Sequence, residues 1–137
     1  MPSVLIVEDD ARFRQKLRGS LASRFPSVVF REAVNGKQAM QQIDSSPPTL
    51  IFMDISLGDD NGLELTKESK HLYPEILISI LTSYDYPEYR DAAFQNGADF
   101  FLIKGSATLH QIAELLKTVL FRNDNQGDKR IKTFESC

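Results

Sequence analysis

The chain carries a single cysteine, Cys137, and no tryptophan among its 137 residues. One thiol excludes an intrachain disulfide framework and a cysteine-based zinc site. No apolar run is long enough to cross a bilayer, and Met1-Pro2-Ser3 leads straight into a strand-like stretch rather than a secretory leader. A basic field is missing as well. The formal net charge is −3, so there is no global positive potential to hold nucleic acid. The cations Lys129, Arg130 and Lys132 read as a solvated end. What is present is 42% apolar residues and 26% charged ones, enough for one domain with a real core. The expectation is a cytoplasmic domain with no direct contact to nucleic acid or membrane.

Short apolar runs alternate with longer amphipathic stretches, which predicts repeated βα units around a parallel sheet. Strands are expected at residues 3–7, 28–32, 49–53, 75–81 and 99–103. The first has no polar alternation, as in strands buried on both faces. Asp10 is placed to cap a helix carrying Phe13, Leu17 and Leu21 at every fourth residue. Asn35-Gly36 reads as a turn before a short helix using Ala39, Met40 and Ile43. A loop rich in Gly and Asp, residues 58–62, precedes a helix that runs to Leu72 and is stopped by Pro74. Tyr84-Asp85-Tyr86-Pro87 opens another helix and Asn96-Gly97 closes it. The last helix, residues 107–121, has a clear stripe of Leu109, Ile112, Ala113, Leu116, Val119 and Leu120. The fold expected is α/β, a doubly wound (βα)5 domain over residues 1–121 with a five-stranded parallel sheet in the order 2-1-3-4-5. Residues 122–137 are expected to form a polar, flexible tail.

The chemistry concentrates where the strands stop. Val4-Leu5-Ile6-Val7 ends at Glu8-Asp9-Asp10, Leu50-Ile51-Phe52-Met53 at Asp54, Ile78-Ser79-Ile80-Leu81 at Thr82, and Phe100-Phe101-Leu102-Ile103 at Lys104. In an open parallel sheet the carboxyl ends of the strands line one crevice, where ligands bind. Glu8, Asp9 and Asp54 converge there if the first and third strands are neighbours. Crowded carboxylates need a counter-charge, and oxygen-only ligands favour a hard divalent ion such as Mg²⁺. The plain alternative is that these acids cap helices and face water, and Asp10 is assigned to that role. A carboxylate can attack phosphorus to form an acyl phosphate. Such a transfer requires neutralisation of the phosphoryl oxygens, a task suited to the Lys104 ammonium and the Thr82 hydroxyl. Taken singly, Lys104 is a surface lysine and Thr82 a helix cap; their common position is what sets them apart.

Residues 3–121 resemble the receiver domain of two-component response regulators. The motifs are Val4 to Asp10, Met53-Asp54 followed by Asn61-Gly62-Leu63-Glu64-Leu65, Leu81-Thr82-Ser83, and Gly97-Ala98-Asp99 leading to Leu102-Ile103-Lys104. The resemblance implies that Glu8 and Asp9 hold Mg²⁺, Asp9 directly, with Asp54 and the backbone carbonyl of Ser56 completing the site. It implies Asp54 as phosphoacceptor, Thr82 and Lys104 as phosphoryl ligands, and Thr82 with Phe101 as the switch. The donor implied is a phosphohistidine on a sensor histidine kinase or histidine phosphotransfer protein, docking in part on Ala11, Phe13 and Arg14. The domain would catalyse its own phosphorylation and dephosphorylation without being an enzyme toward another substrate.

Three positions depart from the family pattern. Gly58 and Gly105 stand where receivers carry proline, and Phe101 where they carry tyrosine. A cis bond before Gly105 would cost about 2.5–4 kcal/mol, so the Lys104-Gly105 peptide is expected to be trans. Phosphorylation is expected to draw Thr82 inward, let Phe101 fill the space, and reshape the face built from residues 86–94, the fifth strand and the last helix. That face would bind a downstream protein target or a second copy of the chain. The end at Cys137 reads as a stand-alone receiver. The competing reading is a phosphorylation-independent interaction domain of the same fold, against which the intact Glu8, Asp9, Asp54, Thr82 and Lys104 set argues. A flavodoxin-like cofactor site is disfavoured because Glu8-Asp9-Asp10 would repel a phosphate after the first strand.

Overall fold

The computed structural model describes residues 2–121; the tail expected at 122–137 lies outside the described residues. Five parallel strands form the main sheet: β1 (Ser3–Val7), β2 (Val29–Ala33), β3 (Leu50–Met53), β6 (Leu77–Thr82) and β7 (Phe100–Ile103). Their order is β2-β1-β3-β6-β7, the expected 2-1-3-4-5 once strands of the main sheet alone are counted. Helices α1 (Ala11–Arg24), α2 (Gly36–Ser45), α3 (Gly62–Leu72), α4 (Pro87–Gln95) and α5 (Leu109–Leu120) make the crossovers.

The pleat explains why β1 and β3 lack polar alternation. Val4, Ile6, Leu50 and Phe52 point into one core with Leu17 and Leu21 of α1 and Ile112 and Leu116 of α5. Leu5, Val7, Ile51 and Met53 point into a second core with Ala39 and Ile43 of α2 and Ala93 of α4. Both faces are dry, so the buried positions Val4 to Val7 and Leu50 to Met53 are all apolar. The adjacent aromatics Phe100 and Phe101 divide between the two cores in the same way.

Side-chain caps set where the helices begin. The Phe13 amide donates to Asp10 Oδ1 at 3.2 Å, which confirms Asp10 as the cap of α1. Asn35 belongs to a helix cap rather than a free turn: its Oδ1 accepts from the Gln38 amide at 2.9 Å. Thr108 and Gln111 form a reciprocal capping box, so α5 starts at Leu109 and not at Ala107. Leu115 of α5 is fully buried and joins the stripe read from the sequence.

The stretch expected to be a plain loop after β3 contains a hairpin, β4 (Ser56–Leu57) with β5 (Asp60–Asn61). Gly58 opens its two-residue connection with φ 67°, the position where a II′ hairpin turn takes glycine. Proline, fixed near −65°, cannot occupy it. Gly105 follows the same logic at φ 89°, in the tight turn where the Ala107 amide returns to the Ile103 carbonyl at 2.8 Å. Among the described residues every peptide is trans, Lys104-Gly105 included.

Gly62, the first residue of α3, is needed for a different reason. Its amide donates to the Ile55 carbonyl at 2.7 Å, and a Cβ there would overlap the backbone carbonyl of Asp54. Gly62→Ala is expected to cost about 3 kcal/mol in urea unfolding, the upper range for overpacking. Gly19→Ala, mid-α1 with open space around it, is expected to stabilise by about 0.5–1 kcal/mol. Equal effects at the two glycines would contradict this account of the β3–α3 connection.

Candidate functional site

The ladder of the sheet continues one residue past the ends of β1, β3 and β7, while Thr82 closes β6, and this places the reactive side chains. The Glu8 amide donates to the Ala33 carbonyl at 3.0 Å, the Asp54 amide to Val7 at 3.1 Å, and the Lys104 amide to Thr82 at 2.8 Å. Val7 pairs with Met53 and Thr82 with Ile103. These residues therefore sit on rigid strand geometry rather than on loop tips, a favourable support for a precise site.

Lys104 is the hub. Its Nζ lies 2.5 Å from Glu8 Oε1 and 3.0 Å from Asp54 Oδ2, and 4.4 Å from the centre of the Phe13 ring. Glu8, Asp54 and Thr82 are buried, whereas Asp9 is exposed. Carboxylate oxygens of Glu8, Asp9 and Asp54 lie within 4.8 Å of one another. Three acids thus face one ammonium, a surplus of negative charge when all are ionised. Burial is the main reason the Glu8 carboxyl is pushed up, to about 7, with repulsion from Asp54 adding to it; the bonds to Lys104 and the Asp10 amide act in the opposite direction. Burial alone would lower the Lys104 ammonium, but its bonds to Glu8 and Asp54 outweigh that and raise it.

Asp54 Oδ1 is buried with no hydrogen-bond partner among the described residues. An orphaned oxygen on a carboxylate clustered with two further acids is what a hard cation would satisfy. The donor set, oxygen only and crowded, fits Mg²⁺ in kind. Ser56, the fourth metal position expected, is exposed at the start of β4 just beyond Asp54.

The remaining expected residues fall around this centre. Thr82 closes β6, and its Oγ1 accepts from the Tyr84 amide at 3.4 Å. Phe101 is buried in the core beneath α4, with the Arg90 guanidinium 5.9 Å from its ring centre. Ala11 is exposed and Phe13 half-buried, as a docking surface requires, but Arg14 is buried and cannot belong to that surface. Its guanidinium turns inward, Nη1 donating to the Glu8 carbonyl at 2.8 Å and Nε to Glu32 Oε1 at 2.7 Å. The available signal was periodicity: Arg14 shares the buried stripe of α1 with Leu17 and Leu21. Beside Lys104, a cavity of about 230 Å³ opens between α1 and α5, lined by Phe13, Leu17, Leu81 and Ile112 among others.

Comparison with known proteins agrees with this geometry. The response regulator receiver domain family matches residues 4–117, and the chain belongs to that family. It is 29% identical over 130 residues to the uncharacterized transcriptional regulatory protein YhcZ of Bacillus subtilis, covering 95% of this chain and 58% of that protein. It is 32% identical over 116 residues to the response regulator protein VraR of Staphylococcus saprophyticus, covering 83% of this chain and 54% of that one. The chain thus spans a little over half the length of these curated relatives. Among solved structures, a two-component response regulator from Clostridium difficile superposes with a TM-score of 0.82 at 28% identity, covering 89% of this chain and 98% of that one. The CheY-like receiver domain protein of Methanospirillum hungatei reaches the same TM-score at 24% identity, covering 93% and 99%, and supports the fold. No helix among the described residues is long and apolar enough to cross a membrane.

The raised Glu8 carboxyl has a consequence for stability. Between its ordinary 4.5 and about 7, the folded chain holds a proton there that the unfolded chain has released. Its contribution therefore makes the metal-free protein less stable as pH rises through that window. Urea unfolding in EDTA should show a Glu8-dependent fall over this range that Glu8→Gln removes. Superimposable pH slopes for the two proteins would contradict the assignment.

Proposed function

We propose that the chain is a phosphoacceptor receiver, taking a phosphoryl group from a phosphohistidine onto Asp54 with Mg²⁺ as cofactor. The observation that carries this reading is the division of labour on one carboxylate: Asp54 Oδ2 is held by Lys104 while Oδ1 is buried and unpartnered. Glu8, Asp9 and Asp54, with the carbonyl of Ser56, would hold the ion. When bound, the ion supplies charge neutralisation and orientation to the phosphoryl oxygens.

Asp54 is positioned to attack phosphorus with the oxygen now held by Lys104. As the new P–O bond forms, the P–N bond of the donor breaks and its electron pair stays on the departing imidazole nitrogen. Lys104 transfers its hydrogen bond from the carboxylate to a phosphoryl oxygen, and the Thr82 hydroxyl donates to another. Water later attacks the acyl phosphate and restores Asp54. The donor is a sensor histidine kinase or histidine phosphotransfer protein, seated over Ala11, Phe13 and the cavity beside Lys104.

Output follows from the charge change. An acyl phosphate adds close to two negative charges, drawing Thr82 toward it and shifting Phe101 and Arg90 on the α4–β7–α5 face, which engages a protein target or a second copy. Two relatives are by name transcriptional regulatory proteins, and a partner acting on DNA is the corresponding downstream class. The domain acts in the cytoplasm and does not itself hold nucleic acid.

Incubation with Mg²⁺ and a small-molecule phosphodonor, followed by intact mass, should show one acid-labile phosphate adduct. Asp54→Asn and EDTA should abolish it, and Thr82→Ala should slow its formation about 10²-fold, as for loss of one donor to a developing charge. An adduct that persists in Asp54→Asn, or its absence from the wild type, would overturn the reading. NMR shifts on the α4–β7–α5 face that are identical before and after phosphorylation would instead favour a fold used only for constitutive binding.

A further inference from the structure

Among the described residues Arg14 is the buried cation that the proposed chemistry leaves without a task. It lies six residues after Glu8, on the inner side of α1, with a side chain that is about 10% exposed. Burying a guanidinium is costly unless it is paired and hydrogen-bonded. Here it bridges two elements: Nε meets Glu32 of β2 at 2.7 Å, and Nη1 meets the backbone carbonyl of Glu8 at 2.8 Å. Glu32 also receives Arg18 at 3.2 Å, a half-exposed outer partner.

The Glu8 carbonyl belongs to the peptide that joins Glu8 to Asp9, so its orientation sets the backbone from which both side chains project. Further bonds hold this turn: the Glu8 amide to Ala33, the Asp10 amide to Glu8 Oε2 at 3.1 Å, and the Phe13 and Arg14 amides to Asp10. On the carbonyl side the bond found among the described residues is that of the Arg14 guanidinium. We infer that Arg14, anchored by Glu32, is the positioning residue that holds the Glu8–Asp9 peptide in the orientation needed for divalent cation binding. This rests on the receiver reading of the acidic cluster. Arg14 does not touch the phosphoryl group; it acts through the backbone of the ligands, and Glu32 offsets its charge so that the brace does not repel the cation.

The sign of one effect separates this role from simple electrostatics. Removing a nearby positive charge should tighten cation binding if Arg14 acts only through its field. Loss of a brace should weaken it, about tenfold for supporting contacts of this kind. Mg²⁺ and Mn²⁺ titrations by calorimetry on the full chain should therefore give about tenfold weaker binding for Arg14→Gln. Arg14→Lys, which keeps the charge but lacks the fork for both contacts, should weaken binding similarly. Arg18→Gln should leave affinity unchanged. Hydrogen exchange of the Asp9 and Asp10 amides should accelerate in Arg14→Gln. If that variant does not fold, Glu32→Ala provides the same test with the anchor removed.

Unchanged or tighter metal binding in the folded variants, with unchanged exchange in the turn, overturns the brace. Failure of the wild-type chain to bind either cation overturns the receiver reading instead. The brace is then decided by the exchange rates alone, acceleration supporting it and equality overturning it.

Discussion

The contact on which the site depends is the ammonium of Lys104 held between Glu8 and Asp54 at 2.5 and 3.0 Å. It spans the carboxyl edge of the sheet from β7 to β1 and makes a buried pair of acids tolerable. Like charges this close, out of water, would otherwise force one carboxyl to stay neutral. Burial, with a smaller push from Asp54, still raises the Glu8 carboxyl against the opposing bond from Lys104. The site is therefore built with a surplus of negative charge and an unpartnered Asp54 oxygen, a combination suited to a cation and then a phosphoryl group.

Rigidity is the second element. Glu8, Asp54 and Lys104 each extend a ladder hydrogen bond beyond the end of a strand, so their backbones inherit the register of a sheet buried on both faces. Changes in that register would move all of them together. Among the described residues positive φ is confined to glycines in the connections, Gly58, Gly97 and Gly105. Gly58 and Gly105 stand where the family carries proline, and both are required by turns that proline cannot enter. The departures alter loop geometry while the ladder-held residues keep their places.

Much of this was legible from residue order. Uninterrupted apolar runs ending in acids, a hydroxyl and an amine pointed to the parallel sheet and the candidate centre, because strand ends in such a sheet line one crevice. The strand order came with the flavodoxin-like topology. Boundaries were less exact: β2 begins one residue late and α5 starts at its capping box. The β4–β5 hairpin was unreadable because strands of two residues leave no periodic signal. The inward role of Arg14 also escaped: its spacing from Leu17 and Leu21 places it on the buried stripe, but its partner Glu32 lies on a distant strand. Side-chain partners across 18 residues are set by tertiary packing and leave little trace in local pattern.

The central claim is that Asp54, Lys104 and Thr82 form one phosphoryl-binding centre that works with Mg²⁺. The most direct measurement is ¹⁹F NMR of the chain with Mg²⁺ and fluoroberyllate, a tetrahedral phosphoryl mimic. The account predicts bound fluorine resonances that need Mg²⁺, are absent in Asp54→Asn, and coincide with shifts at Lys104 and Thr82. Bound fluorine that survives in Asp54→Asn, or none in the wild type, would contradict it.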